Sequence, residues 1–206
     1  MPVEAAQYPV SLVLNGRPVL VVGGGRVAAR KVAGLHACGA DVHVIAPAVA
    51  DEIKALPGVS WEERDYRPGD VAGYRLVLAA TDAPDANRAV HDDAEAQGIW
   101  VNSADDPANC TFTLPSVVRR GAITVAISTG GASPALATWL RRRLEDQIGP
   151  EYEVLLDLVA ERRAEARAAG RATEQMDWQT VLDSEILELV RAGRIAEARE
   201  RLQTWL

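Results

Sequence analysis

The chain has 206 residues, 48% of them hydrophobic, and carries a formal net charge of −7. That length allows a substantial buried core, as one large domain or one plus a smaller one, and the acidic balance argues against a nucleic-acid binder, which carries a basic face. Two cysteines, Cys38 and Cys110, make no disulfide framework, residues 1–8 lack the pattern of a signal peptide, and no run of about twenty apolar residues is available to span a membrane, so a cytoplasmic protein is expected.

Asn15-Gly16 reads as a turn before a buried strand at Pro18–Val22. Gly23-Gly24-Gly25-Arg26-Val27-Ala28 follows directly and opens a helical pattern over Val27–Cys38, which Gly39 stops. A glycine-rich turn between a buried strand and a helix lets backbone N–H groups approach a pyrophosphate at the positive helix end. Gly23 makes the tight turn, Gly25 admits the phosphates, the N–H groups of Arg26 and Val27 hold them, and Ala28 fills the third small position. The same glycines also suit a plain tight turn, so the strand-turn-helix setting is what favours a dinucleotide.

Strand signals continue at Asp41–Ile45, Val59–Glu62, Arg75–Ala80 and Ile99–Val101, with a loop or short helix from Pro47 and a helix over Pro84–Gln97. This alternation predicts an α/β fold, a Rossmann-type doubly wound parallel sheet with helices on both faces. Thr81 and Asp82 fall at the carboxyl edge of that sheet, where ligands bind, and also suit the cap of the Pro84 helix. Phe112–Arg119 and Ala122–Ser128 read as a hairpin around Arg120-Gly121, outside the parallel sheet. Ser133-Pro134 is a helix start, and the helix carries Leu136, Leu140, Leu144 and Ile148 on one stripe until Gly149-Pro150 breaks it. The remainder is helical and charged, with apolar faces at Val154, Leu155, Leu158 and Val159, at Leu182, Ile186, Leu189 and Val190, and at Ile195, Ala198 and Leu202. Such stripes pack either against one another or against a twin subunit. The expected divisions are 1–113 for the dinucleotide-binding domain, 114–149 for a small α+β segment serving dimerisation and substrate, and 150–206 for a helical tail.

Four blocks, taken together, resemble the siroheme synthase family, in its precorrin-2 dehydrogenase/sirohydrochlorin ferrochelatase module. They are Pro18–Lys31 with Cys38–Pro47, Leu78-Ala-Ala-Thr-Asp82, Val101-Asn-Ser-Ala-Asp-Asp-Pro107 leading to Cys110-Thr-Phe112 and Pro115, and Val125-Ala-Ile-Ser-Thr-Gly-Gly-Ala-Ser-Pro134 with Leu136-Ala137. The glycine block alone is generic; its combination with Ser-Thr-Gly-Gly-Ala-Ser-Pro is specific. The resemblance covers residues 8–148, and the helical tail is similar to the family's dimerisation region. It implies oxidation of precorrin-2 to sirohydrochlorin with NAD, a cytoplasmic homodimer, and, as in bifunctional members, insertion of Fe²⁺ into the product. The methyltransferase module fused in some siroheme synthases is not expected here.

The resemblance also assigns roles. No acid ends the second strand to hold the adenosine ribose; the family uses the equivalents of Pro47 and Ala48, while Arg26 leaves a 2′-phosphate, and so NADP, open. An aspartate in an Asn-x-x-Asp motif serves both reactions, and Asn102-Ser103-Ala104-Asp105 matches that spacing, although Ser103-Ala104 replaces two apolar residues usual there. Asp105 is thus the candidate catalytic base, sited just past the Ile99–Val101 strand, whereas Asp106 before Pro107 reads as a turn residue. A tetrapyrrole bearing many carboxylates calls for cations. Asn102, Arg119, Arg120, Ser128, Thr129, Gly130 and Arg141 are the candidate substrate contacts. Arg141-Arg142-Arg143 fan over about 200° of a helix, so at most two of them face one ligand. His36, His43 and His91 lack metal-ligand spacing, and no resident metal is expected. The competing class is a non-catalytic dinucleotide-sensing module, which explains the glycine turn but not the Asn-x-x-Asp or Ser-Thr-Gly-Gly-Ala-Ser-Pro blocks. A short-chain dehydrogenase is excluded, since no tyrosine is followed by lysine four positions on.

Overall fold

A computed structural model describes residues 6–104, 106–173 and 176–205. They divide into two compact units, 1–114 with 130–132, and 115–129 with 133–206. In the first unit five parallel strands, β1 (Pro18–Val22), β2 (Asp41–Ala46), β3 (Ser60–Glu63), β4 (Leu76–Ala79) and β5 (Trp100–Ser103), lie in the order β3-β2-β1-β4-β5. β1 and β4 are nearly continuous apolar runs because both of their faces are covered. One face places Val19, Val21, Val44 and Leu78 against Ala28, Val32 and Leu35 of α1 (Arg26–His36). The alternate residues Leu20, Val22, Val77, Ala79 and Val101 meet Val90 and Ala94 of α3 (Pro84–Ala96) on the other. A single turn of helix, α2 (Asp51–Lys54), follows β2.

The Rossmann-type expectation holds, with shifted boundaries. β5 runs on to Ser103 because Asn102 bridges Cys110 and Thr111 N–H donates to the Val101 carbonyl at 2.8 Å. Asn102 is therefore inside the strand rather than beyond it. The segment from Phe112 is not strand until Ser116.

In the second unit β6 (Ser116–Arg120) and β7 (Ile123–Ile127) pair antiparallel, with Arg120 opposite Ile123. The turn is thus Gly121-Ala122, one residue later than expected, and Gly121 adopts φ +53° there. Ser133 caps α4 (Pro134–Gln147) as its spacing predicts, its Oγ accepting the Leu136 N–H at 3.2 Å. The tail forms α5 (Glu151–Ala168), α6 (Trp178–Leu182), α7 (Ile186–Arg191) and α8 (Ile195–Trp205). Its three apolar faces converge on one core of Leu155, Leu158, Val181, Ile186, Leu189, Val190, Ala198 and Leu202. Val154 and Leu182 are exposed instead, Val181 taking the interior position. The α4 stripe does not join this core: only Ala137 of that helix is buried, and Leu136 and Trp139 are 48% and 52% exposed.

The tightest contact in the first unit is at Gly24, where a Cβ would lie 2.0 Å from the Ala48 carbonyl oxygen and 2.9 Å from the Ala46 methyl. Gly24→Ala should lower stability by about 1–3 kcal/mol, as overpacking does. Gly34→Ala, in the open middle of α1, should leave it equal or up to about 1 kcal/mol higher. Chemical denaturation measures both, and equal midpoints for the two variants would contradict the assignment.

Candidate dinucleotide site and the β5 edge

The chain order places a topological switch between β1 and β4: β2 and β3 build outward on one side of β1, β4 and β5 on the other. The glycine turn sits at that switch. Gly23 adopts φ +121°, and a Cβ on it would lie 2.3 Å from the Ala80 carbonyl oxygen. Its N–H donates to Ile45 O at 2.9 Å, Ala80 N–H to Val22 O at 2.7 Å, and Ala50 N–H to Gly24 O at 2.9 Å. The ends of β1, β2 and β4 are thereby tied around one turn. Gly25 is the N-cap of α1, no side chain caps that helix start, and the first turn holds no acid. A Cβ at Gly25 would meet nothing within 4 Å, so the space beside the helix's free N–H groups is open. A pyrophosphate fits such a site: backbone donors, the positive helix end, and clearance on the ligand side. Ala28, the third small position, is fully buried against the sheet.

Sequence spacing gave Gly24 no role. Its need for hydrogen comes from Ala48, more than twenty residues away, a contact no local pattern records. Pro47 and Ala48 are exposed at the bend after β2, and Arg26 and Val27 are exposed in the first turn of α1.

The β4 edge corrects the capping expectation. Ala83, not Thr81 or Asp82, is the N-cap of α3, and no side chain caps it. Thr81 instead joins a closed set of bonds with Asn87. Its Oγ1 donates to Asn87 Oδ1 at 2.8 Å, its N–H to the same oxygen at 3.2 Å, and Asn87 Nδ2 donates back to Thr81 O at 3.0 Å. Asn87 is buried and went unnoticed in the sequence, one polar residue among many on α3. Its function is to fix the β4–α3 loop at the crevice. Asp82 is exposed.

At the β5 edge Asn102 is buried with its carboxamide fully directed. Oδ1 accepts from Lys31 Nζ at 3.2 Å, and Nδ2 donates to Phe112 O at 3.0 Å and to Cys110 Sγ at 3.5 Å. These partners make Asn102 a brace for the strand end. The Cys110 sulfur also accepts the Ser103 N–H at 3.2 Å, and burial pushes its thiol pKa up, against ionisation. Asp106 caps the short helical turn Pro107–Asn109, its carboxylate accepting from Ala108 N and Asn109 Nδ2, which is the turn role its sequence suggested. Asp105 lies outside the described residues.

The second unit brings together some of the arginines expected to contact substrate. Arg120 and Arg141 converge on Glu145, Arg120 Nη2 donating to its carbonyl at 3.1 Å and Arg141 pairing with its carboxylate. Arg119 projects to the opposite side of the hairpin by strand alternation. Arg143 stacks over Trp139 at 5.0 Å. Thr129 Oγ1 and Ser133 exchange two bonds of 3.1 Å, shaping the entry to α4, and Gly130 takes φ +61° between them. Ser128 is exposed. Among the described residues no group of three or more His, Cys, Asp or Glu side chains is arranged to hold a metal ion, and no helix is long and apolar enough to cross a membrane.

Comparison with known proteins agrees with this geometry. A family model described as putative NAD(P)-binding matches residues 10–116, and one described as sirohaem biosynthesis protein, central, matches residues 120–147. Siroheme synthases of Nitrosococcus oceani and Pseudomonas aeruginosa are each 40% identical, over 97% and 94% of this chain but 44% and 43% of their own lengths. The chain thus spans less than half of these relatives. Among solved structures, SirC, a precorrin-2 dehydrogenase, superposes with a TM-score of 0.75 at 25% identity, covering 97% of this chain and all of SirC. The chain belongs to the putative NAD(P)-binding family, within the group of proteins related to siroheme synthase.

Proposed function

We propose that this protein is an NAD-dependent dehydrogenase that oxidises precorrin-2 to sirohydrochlorin on the route to sirohaem. The observation that carries the reading is the likeness to SirC over 97% of this chain and all of SirC, joined to a glycine turn with the clearance a pyrophosphate needs. Gly23, Gly25 and the N–H groups of Arg26 and Val27 hold the dinucleotide phosphates, with Pro47 and Ala48 beside the adenosine and Thr81 and Asp82 at the β4 edge. NAD, when bound, supplies the hydride acceptor. The chain's own task is to take the accompanying proton, and Asp105, directly after the β5 edge, is the base. Asn102 serves that edge as a brace.

Substrate carboxylates are contacted by Arg119, Arg120 and Arg141, with the hydroxyls and backbone of Ser128, Thr129 and Gly130. Arg141 exchanges Glu145 for a substrate carboxylate, an exchange of like for like that costs little charge desolvation. Iron insertion is a second activity carried by the resemblance to siroheme synthases, with Fe²⁺ as substrate. We also propose a cytoplasmic homodimer. Two cysteines outside any disulfide suit a reducing compartment, and the half-exposed Leu136 and Trp139 suit a subunit contact.

Supplied anaerobically with precorrin-2, the protein should produce sirohydrochlorin absorbance with NAD and much less with NADP. No oxidation with either would favour the sensing module. Asp105→Ala should lower turnover by at least about a hundredfold, the low end of what general-base loss costs, and leave NAD affinity within twofold by fluorescence titration. Metallation of sirohydrochlorin with Fe²⁺ or Co²⁺ should outpace an enzyme-free control; equal rates would remove the chelatase. Sedimentation should give twice the 22.1 kDa chain mass, and Leu136→Asp with Trp139→Glu should give a folded monomer.

A further inference from the structure

We propose that Ser60 is an acyl-acceptor site: its hydroxyl, bonded to the His43 imidazole that Glu62 orients, takes a small acyl group from an uncharged activated ester. The site stands apart from the dinucleotide turn. Pro18, Asp41 and Ser60, the first residues of β1, β2 and β3, line it, at the opposite edge of the sheet from Gly23.

His43 is one of three histidines, and the dehydrogenase reading uses none of them. Strand register builds a constellation around it. His43 on β2 pairs with Ser60 on the edge strand β3, and Glu62 lies two residues on along the same face. Ser60 Oγ is 2.8 Å from His43 Nδ1, and Glu62 Oε1 is 3.4 Å from His43 Nε2. A carboxylate facing Nε2 places the proton of the neutral imidazole on that nitrogen, since a lone pair there would meet a negative charge. Nδ1 is then the acceptor, and the Ser60 O–H donates to it. Val42 O also lies within reach of Ser60 Oγ, but at 3.5 Å, the outer limit of a hydrogen bond. Arg64 completes the series: its Nε donates to Glu62 Oε2, holding that carboxyl below the usual range and so ionised.

The constellation opens on solvent. Ser60 is exposed, and with His43, Asp41, Gly73 and Tyr74 it lines a cavity of about 290 Å³. That volume suits a small acyl group, and Asp41 on the wall with Glu62 beside it disfavours an anionic one. A serine hydroxyl is a weak nucleophile until an adjacent base takes its proton, with a third group orienting the base. As Ser60 Oγ bonds to the acyl carbon, its proton passes to His43 Nδ1. The ester C–O bond breaks, the aryloxide leaves with the electron pair, and His43 returns the proton to solvent. Gly73, in a turn at φ +86° on the same wall, has an N–H that makes no hydrogen bond among the described residues, and it is the donor available to the carbonyl oxygen.

The test is acylation of the full chain by p-nitrophenyl acetate, read as nitrophenolate release, with peptide mass spectrometry to locate the adduct. Wild type should carry the acetyl group on Ser60, and Ser60→Ala should lose that adduct. His43→Gln should slow acylation at Ser60 by at least about a hundredfold, the low end of what loss of a general base costs. Glu62→Gln should slow it by at least about tenfold, through loss of the group that orients the base. Glu62 is an exposed side chain on an edge strand, so its variant reads the series even if His43→Gln fails to fold. No adduct on Ser60, or an unchanged rate there in either folded variant, overturns the proposal and leaves the three residues as a polar cross-strand ladder. The assay contains neither precorrin-2 nor NAD, so its result is independent of the dehydrogenase reading.

Discussion

The first unit depends on one constraint: two adjacent glycines at the end of β1 lie where only hydrogen fits. Gly23 faces the Ala80 carbonyl and Gly24 the Ala48 carbonyl, from the chain just past β4 and past β2 respectively. Carbonyls at that range leave no soft neighbour to yield, so a side chain at either position must push a strand end aside. Because the turn is that tight, the carboxyl ends of the three central strands are drawn to one point and α1 starts from it. The consequence is chemical. The helix begins with no side-chain cap and no first-turn acid, and its free N–H groups face open space. An anionic ligand therefore completes a structure that the chain leaves incomplete.

What the sequence showed of this arrangement was its local part. Strand identity was legible because a buried parallel strand must be apolar on both faces, and the glycine turn because it abuts such a strand. Gly24 was not, since the carbonyl it accommodates belongs to a distant bend. Asn87 was hidden for a related reason: a polar residue on an exposed-looking helix reveals its purpose only once Thr81 is brought against it. Asn102 was noticed, but as a substrate contact, because the Asn-x-x-Asp spacing gives no hint that Lys31, Phe112 and Cys110 engage the whole amide.

Periodicity has a parallel limit in the second unit. Four apolar stripes were legible, one on α4 and three on the tail, yet they have different fates. The tail's stripes meet in a shared core, whereas the stripe of α4 stays largely outside it. An amphipathic face declares that something covers it and never what. Arg120 shows the same limit for charge. Its place beside a hairpin turn made it a candidate substrate contact, and in the fold it lies toward the last turns of α4, where it binds the Glu145 carbonyl. Carbonyls near a helix C-terminus attract cations, so this arginine stabilises the helix end in the absence of a ligand.

The helix that follows the glycine turn connects these observations. Phosphate binding at its start draws on backbone dipoles and needs no side-chain charge. That frees the basic residues of α1 from the cofactor's phosphates. Lys31 lies five residues past the first helical position, roughly 7.5 Å along the axis at 1.5 Å per residue. From there it reaches sideways to β5 rather than back to the turn. One rigid element thus presents a dipole to the cofactor at its start and a lysine head to Asn102 at the end of β5, and the sheet sets the separation between them. Because α1 is packed through Ala28, Val32 and Leu35, neither group moves independently of the other. Packing of this kind fixes the helix start and the end of β5 relative to each other before any ligand arrives.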